Sequence, residues 1–210
     1  MSTPIALIDY GAGNEFSLSR GLESAGGSVT KITSTEQLDP FSHIVLPGVG
    51  AFGAAVLRLK RTGLDRALCK AVKQGKVLLG ICLGMQLLYA TSDESDGFSG
   101  LGLLPGHVTH LPDTGSKVQA PHMGFNSVNA GRGSVLFDTL PPLLDFYFAH
   151  SYACPTLNDQ PNLIQSTTEY GEEFVSHVEL NKQVFGIQFH PELSHVNGIE
   201  VLRNFISVTC

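Results

Sequence analysis

The sequence predicts an α/β fold in which a mostly parallel central sheet is flanked by helices and extended by antiparallel strands. In the first half of the chain, short continuous apolar runs alternate with segments of helical period, a pattern typical of parallel strands buried on both faces. In the second half, short extended segments follow one another, which favours antiparallel additions to the same sheet. The chain is 42 % hydrophobic and 15 % charged, which suits a packed core better than disorder.

The first half predicts strands and helices in alternation. The helix that follows the first strand stops at the pair Gly26 and Gly27, and the third strand is closed by Pro47 and Gly48, which are turn residues. The predicted elements are strand 4–10, helix 15–25, strand 28–33, strand 43–48, helix 55–74 with a break near Gly63, strand 76–81 and a helix after Cys82.

The second half predicts a loop followed by short strands and one helix. The loop is expected at 91–106 and the helix at 198–208. Extended segments are expected at 107–111, 127–130, 145–153, 162–169, 173–180 and 183–192. No repeat and no linker marks a domain boundary, so residues 1–210 are expected to form a single domain.

Charge and cysteine usage exclude several classes of protein. The formal net charge is −6 and no run of Lys or Arg occurs, so the chain lacks the positive charge that nucleic acids or an anionic membrane surface would require. We find neither a signal peptide nor an apolar run long enough to span a membrane. The cysteines are scattered and are expected to be reduced in a cytoplasmic protein; they are Cys69, Cys82, Cys154 and Cys210.

Cys82 lies at the junction of a predicted strand and a predicted helix, with Gly80 and Gly84 on either side. A tight turn at this junction lifts a side chain above the carboxyl edge of a parallel sheet, and the glycines leave room for it. The start of a helix favours the thiolate, and the backbone N–H of Leu83 is placed to stabilise an oxyanion. A buried, inert cysteine fits the same residues, since most free cysteines pack as small hydrophobes.

A base for Cys82 is suggested by "VFGIQFHPELS" (184–194), in which His190 follows a strand-like run. Proline favours an extended conformation in the residue before it, and residues i and i+2 of an extended chain face the same side. His190 and Glu192 are therefore expected to lie together, with the carboxylate orienting the imidazole. Cys82, His190 and Glu192 would form a nucleophile, a base and an orienting acid. Alone, "HPE" would be an ordinary strand end followed by a solvated acid.

The chain contains a series of motifs that resembles, in content and in order, those of the class I (triad-type) glutamine amidotransferases. Among these enzymes it resembles the glutaminase subunits of imidazole glycerol phosphate synthase. The resemblance runs over most of the chain and implies a flavodoxin-like fold. The motifs are "IDYGAGN" (8–14), "LPGVGAFG" (46–53), "GICLGMQLL" (80–88), "GLGLLPG" (100–106), "PHMGFN" (121–126), "YFAHSY" (147–152) and "FGIQFHPELS" (185–194).

The resemblance implies a reaction in which Cys82 attacks glutamine, forms a thioester and releases ammonia and then glutamate. His190 would move the protons and Glu192 would hold His190 in place. By the same resemblance, Val49 and Gly50 would join Leu83 in forming the oxyanion hole.

Glutamine binding is assigned by the same resemblance. Gln86 lies one helical turn after Cys82, on the same helix face, where it could hydrogen-bond the substrate. Glu94 would receive the α-amino group of glutamine, and the backbone of Ser151 and Tyr152 would meet its α-carboxylate. No cofactor and no metal are expected.

The resemblance also implies a heterodimer. The partner would be a cyclase subunit with a (β/α)8 barrel, which would use the ammonia in histidine biosynthesis. By the same resemblance, the face that contacts this partner is expected around 10–14, around 121–126 and in the segment after Glu192.

The chain departs from the family pattern on this face. The family usually has Leu after "GN", Trp in "PHMGWN" and Lys in "HPEKS", where this chain has Glu15, Phe125 and Leu193. A related glutaminase that feeds another acceptor, such as a surface-sugar amidation system, is the alternative. None of these departures touches Cys82, His190 or Glu192.

Other interpretations of single motifs are weaker. Gly11 and Gly13 after the first strand suggest a dinucleotide loop, but Phe16 stands where the third glycine would be. The pair of histidines at 107–110 has no clustered ligands that would complete a zinc site. Cysteine peptidases and DJ-1-like proteins share the cysteine turn, but their cysteine partners differ from "HPE". An inactive binding subunit would have no reason to retain Cys82 together with its two presumed partners.

Overall fold

The computed structural model describes residues 2–12, 14–111, 120–158 and 160–209. The glycine at 13 and the cysteine at 210, both part of the predictions above, lie outside the described residues. The helices are α1 (Glu15–Ser24), α2 (Phe52–Thr62), α3 (Leu64–Lys73), α4 (Leu83–Leu88) and α5 (His195–Ile206), with 3-10 helices at Thr35–Leu38 and Pro191–Leu193. The strands are β1 (Thr3–Ile8), β2 (Gly27–Ile32), β3 (His43–Leu46), β4 (Val77–Ile81), β5 (Thr109–His110), β6 (His122–Asn129), β7 (Leu143–His150), β8 (Tyr152–Ala153), β9 (Leu163–Tyr170), β10 (Glu172–Leu180) and β11 (Val184–Ile187).

A nine-stranded sheet with the order β2-β1-β3-β4-β11-β10-β9-β6-β7 forms the centre of the molecule. The strands from β2 to β11 in this order are parallel to one another. The strands from β11 to β7 pair antiparallel. The predicted α/β class, a mostly parallel sheet with antiparallel additions, is therefore confirmed.

The prediction that the later strands are antiparallel additions around this sheet is wrong for β11. β11 pairs in parallel with β4, so that Gly186 lies opposite Gly80 and Ile187 opposite Ile81. A turn at Asn181 reverses the chain after β10 and places β11 in the centre of the sheet. β5 and β8 form a separate two-stranded sheet.

Helices cover both faces of the sheet. Along β1, Ile5 and Leu7 point into a core shared with α1 and α5, whereas Ala6 and Ile8 point into a core shared with α2 and α3. The predicted break in the second helix is confirmed, because Gly63 has φ +74° and ends α2 where α3 begins.

Three helices differ from the prediction by more than one residue at an end, and the first is α2, which starts at Phe52 rather than at residue 55. α4 has only six residues, because Tyr89 returns to an extended conformation. α5 starts at His195 rather than at Gly198, and Gly198 packs directly on the backbone of Pro191. None of the helices in the described ranges is long and apolar enough to span a membrane.

Candidate active site

Cys82 occupies a strained turn between β4 and α4. Its backbone has φ +54° and ψ −112°, a conformation that L-residues other than glycine rarely adopt. The Cys82 N–H donates to the carbonyl oxygen of Ile187 at 2.8 Å, which ties the turn to β11. The side chain is only 6 % exposed and stands at the carboxyl edge of the parallel strands.

The glycines around Cys82 allow backbone segments to touch. A Cβ atom on Gly80 would lie 2.5 Å from the carbonyl oxygen of Gly84, and one on Gly84 would lie 1.9 Å from that of Leu46. A Cβ on Gly48 would lie 2.8 Å from Cβ of Leu83. The turn after β4 is therefore packed against the end of β3 with no space for a side chain at these positions.

His190 and Glu192 are paired, although not through the geometry that their spacing suggested. Nδ1 of His190 lies 3.0 Å from Oε1 of Glu192, and the two side chains are 9 % and 4 % exposed. The prediction that both residues lie in an extended segment is wrong for Glu192, which belongs to the 3-10 helix Pro191–Leu193. The N–H of His190 donates to the carbonyl oxygen of Tyr147 at 2.8 Å, so β7 also holds this segment.

The charge state of His190 is set by its two neighbours. Burial opposes protonation, but contacts of the imidazole with the side chains of Cys82 and Glu192 outweigh burial and raise the pKa of His190 to about 10. Because Nδ1 of His190 already binds Glu192, Nε2 is the atom of His190 that contacts the side chain of Cys82. At neutral pH an imidazolium therefore stands between the sulfur and the carboxylate.

A cavity of about 240 Å³ opens beside the sulfur of Cys82. Its walls contain every residue predicted for the oxyanion hole and for glutamine binding. The lining residues are Val49, Gly50, Cys82, Leu83, Gln86, Glu94, Pro121, Met123, Ala149, His150, Ser151 and Tyr152.

Gln86 and Glu94 already make hydrogen bonds within the protein. Nε2 of Gln86 donates to the carbonyl oxygen of Tyr152 at 2.9 Å and to Oε1 of Gln188 at 3.1 Å. Oε2 of Glu94 accepts a hydrogen bond of 2.8 Å from the backbone N–H of Phe52, the first residue of α2. Both side chains are thus fixed at the cavity wall by hydrogen bonds to the protein.

The segment after β3 forms another wall of the cavity. Gly50 has φ +101° and no atom within 4 Å of the place where a Cβ would be, whereas Val49 is 45 % exposed. The hydroxyl of Tyr10 donates to the carbonyl oxygen of Pro47 at 2.9 Å and anchors the start of this segment. Burial, and then the charge of the Cys82 sulfur, raise the pKa of Tyr10, so the phenol stays protonated.

Sequence reasoning did not find Gln188, His150 or Tyr10. Nε2 of Gln188 lies 3.6 Å from the sulfur of Cys82, and the side chain is fully buried. Gln188 stands two positions before His190, and this same-side spacing was the signal that could have found it. His150 and Tyr10 stand inside the quoted motifs "YFAHSY" and "IDYGAGN", but no local pattern assigned them a role, because each becomes part of the site through contacts with distant segments.

Of the histidine pair at 107–110, His107 contacts a carboxylate. Nε2 of His107 lies 2.7 Å from Oδ1 of Asp93, next to the loop that carries Glu94. Among the described residues, no group of three or more His, Cys, Asp or Glu side chains is placed to hold a metal ion.

A cysteine on a strained strand-to-helix turn, in contact with a buried His–Glu pair and next to a cavity, is the arrangement that a cysteine nucleophile and its base require. The family model for "Glutamine amidotransferase class-I" matches residues 6–208. The chain therefore belongs to the class-I glutamine amidotransferase family.

Individual relatives narrow this assignment. "Imidazole glycerol phosphate synthase subunit HisH" of Moorella thermoacetica is 43 % identical over 202 residues, which cover 96 % of this chain and 93 % of the relative. The protein of the same name from Chlorobium luteolum is 42 % identical and is covered to 98 %, again with 96 % of this chain. A solved structure titled "Crystal structure of glutamine amidotransferase" superposes with a TM-score of 0.76 over 97 % of each chain at 17 % identity, which supports the fold alone.

Proposed function

We propose that this chain is the glutaminase subunit of imidazole glycerol phosphate synthase and supplies ammonia for histidine biosynthesis. One observation carries the chemistry: the side chain of Cys82, which lines the cavity, contacts His190, and Glu192 holds His190 through Nδ1. The names of relatives that are 42 % and 43 % identical over nearly the whole chain support the biological assignment.

Ammonia is released in the first half of the reaction. With the thiol proton already on His190, the sulfur of Cys82 attacks Cδ of the glutamine side chain, and a C–S bond forms as the carbonyl oxygen becomes an oxyanion. Backbone N–H groups of Leu83 and of the segment at Val49 and Gly50 stabilise this oxyanion. The imidazolium of His190 gives its proton to the amide nitrogen, the C–N bond breaks, and ammonia leaves a thioester on the sulfur.

Glutamate is released in the second half. His190, now neutral, takes a proton from water while the water oxygen attacks the thioester carbonyl. The C–S bond then breaks and the sulfur regains its negative charge beside the imidazolium. Glu192 keeps Nε2 of His190 directed at the reacting atoms throughout, because its carboxylate accepts from Nδ1.

Glutamine is held by groups that the cavity already fixes. The carboxylate of Glu94, which Phe52 N–H orients, faces the α-amino group of the substrate. The backbone of Ser151 and Tyr152 meets the α-carboxylate, and Gln86 lies along the substrate side chain. The scheme uses no cofactor and no metal ion.

The partner in this proposal is a cyclase subunit with a (β/α)8 barrel, which receives the ammonia. Free ammonia would be protonated and lost in water, so the cavity must open towards the partner. An exposed apolar surface, here called the docking face, suits this contact. It consists of Phe16, Met123, Phe125, Leu193 and Val196, which are 42 % to 74 % exposed.

We also propose a cytoplasmic location, since the described cysteines Cys69, Cys82 and Cys154 are free thiols.

The test is glutamate release from glutamine, measured with the chain alone and then with the cyclase subunit and its nucleotide ligand. Strong stimulation by the loaded partner is expected, and Cys82→Ala should remove all activity. Activity that survives in Cys82→Ala would contradict the mechanism. Labelling of Cys82 by a glutamine analogue, without any stimulation by the cyclase, would instead point to another acceptor such as a surface sugar.

A further inference from the structure

A line of hydrogen bonds runs from strand β6 to the wall of the cavity. Nδ2 of Asn126 lies 3.2 Å from Nε2 of His122, and Nδ1 of His122 lies 3.1 Å from Nε2 of His150. Nδ1 of His150 lies 2.9 Å from the carbonyl oxygen of Tyr152. His122 and His150 are opposite each other in the β6–β7 pair and are 2 % and 6 % exposed.

The carbonyl at one end fixes the direction of every bond in this line. A carbonyl oxygen can only accept, so His150 carries its proton on Nδ1 and its Nε2 must be an acceptor. His122 therefore donates from Nδ1, and its own Nε2 accepts from the amide of Asn126. Each imidazole is held in one tautomer, the one protonated on Nδ1.

Both imidazoles are kept neutral by their surroundings. The ring of His122 stacks on Phe148 at 4.7 Å and on Tyr170 at 4.0 Å, and Phe174 lies edge-on to His150 at 5.1 Å. Burial lowers the pKa of His122 to about 4 and is the main cause that lowers the pKa of His150 to about 3. A second proton on His150 would also set two N–H groups against each other.

Beyond Tyr152 the line continues to the nucleophile. The same carbonyl oxygen accepts from Nε2 of Gln86 at 2.9 Å. Gln86 also donates to Gln188, and Nε2 of Gln188 lies 3.6 Å from the sulfur of Cys82. The carbonyl group of Tyr152 thus links the two histidines to the reacting centre, because it accepts from both His150 and Gln86.

We infer that His150, oriented by His122, is a positioning residue that fixes the Tyr152 carbonyl and with it the part of the cavity that binds glutamine. The inference rests on the proposed glutaminase function and adds to it residues that take no part in the chemical steps. His150 acts through Tyr152 and Gln86, so its loss should weaken the binding of glutamine more than it slows the attack by Cys82.

Three variants test this, each assayed in complex with the cyclase subunit and its ligand. His150→Phe keeps an aromatic ring but removes the donor to Tyr152, whereas His150→Asn retains an amide N–H near the position of Nδ1. His43→Phe is the matched control. His43 is also buried, and its Nε2 lies 3.1 Å from the backbone carbonyl oxygen of Val208. His43 is the first residue of β3, so it lies at the end of that strand away from the cavity.

The expected result is a split between KM and kcat. In His150→Phe the KM for glutamine should rise by about tenfold, the effect of one lost buried hydrogen bond, while kcat changes by less than about threefold. His150→Asn should recover most of the KM, and His43→Phe should leave it unchanged. An unchanged KM in His150→Phe, or equal values in the Phe and Asn variants, would overturn the inference.

A second measurement works on the unaltered protein. Imidazole ¹⁵N spectra should show both His122 and His150 protonated on Nδ1 and unprotonated on Nε2, and should show no titration near neutral pH. Protonation on Nε2 in either ring would overturn the inference even if the variants did not fold. Absence of glutamate release by the wild-type complex would instead count against the proposed function and leave the tautomer result standing.

Discussion

Cys82 carries its thiol on a backbone conformation that costs free energy. Its positive φ persists because the glycines at 80 and 84 let neighbouring backbone close around it and because Ile187 accepts its N–H. Strain of this kind is typical of sites where a reactive group must be presented in one direction.

This strain gives a prediction about stability. Cys82→Ala and Cys82→Gly should both abolish glutamate release, but Cys82→Gly should be the more stable by about 1 kcal/mol, because glycine accepts positive φ without a steric penalty. Urea unfolding of the two variants checks this. A Gly variant less stable than the Ala variant would mean that the turn is not strained.

His190 gives a prediction about pH. Burial opposes its charge, yet contacts with Cys82 and Glu192 raise its pKa to about 10, from an ordinary value of 6.5. The folded state thus binds this proton more tightly than the unfolded state. The stability it contributes is fully present below about pH 6.5 and is lost as the pH rises through about 10.

The stability difference between the wild type and His190→Gln should therefore shrink as the pH rises from 6.5 towards 10. Free energies of unfolding from urea titrations across this range measure it. A difference that grows with pH would contradict the assignment of an imidazolium to the resting site.

The residues proposed to carry out the reaction were easier to predict from the sequence than the residues that support them from other segments. Cys82, His190 and Glu192 each stand in a local pattern with a chemical reason, and the structure brings them together. Gln188 and Tyr10 act on the site through strand and loop contacts that only the folded chain creates. Local pattern could not reveal contacts of that kind.

The elements around the site are packed backbone to backbone. Gly84→Ala should destabilise the fold by about 2 kcal/mol or more, because its Cβ would lie 1.9 Å from the carbonyl oxygen of Leu46 and neither backbone can move freely. Gly21→Ala in α1 is the control, since its nearest contact is a side-chain methyl group of Leu202 at 3.3 Å. Thermal unfolding compares them, and equal effects would contradict the packing argument.

The sequence indicated which elements exist more reliably than how they pair. The break at Gly63 was predictable because a glycine interrupted a helical pattern. The direction of β11 was not, although all four of its residues are buried as in other parallel strands. Its neighbours are set by the turn before it and by the space beside β4, which are properties of the whole sheet.

At the scale of the whole molecule, the docking face leads to a prediction about how the chain binds its proposed partner. Val196→Glu should weaken the complex with the cyclase subunit by at least about tenfold, because a charge would be buried in an apolar contact. The same change should leave any glutamate release by the isolated chain unaltered. Binding titrations together with both assays measure this.

Leu57→Glu is the matched control for this prediction. Leu57 lies on α2 and is 49 % exposed, but it is outside the docking face. It should affect neither binding nor stimulation. Equal loss of binding in both variants would mean that the partner contacts a different surface.

The central position of β11 has a consequence for the making of the protein. During synthesis Cys82 leaves the ribosome well before His190. One edge of β4 remains unpaired until β11 pairs with it. A nascent or truncated chain that lacks β11 holds a thiol without its base. Cys82, His190 and Glu192 can therefore come together only after a late strand has closed the middle of the sheet.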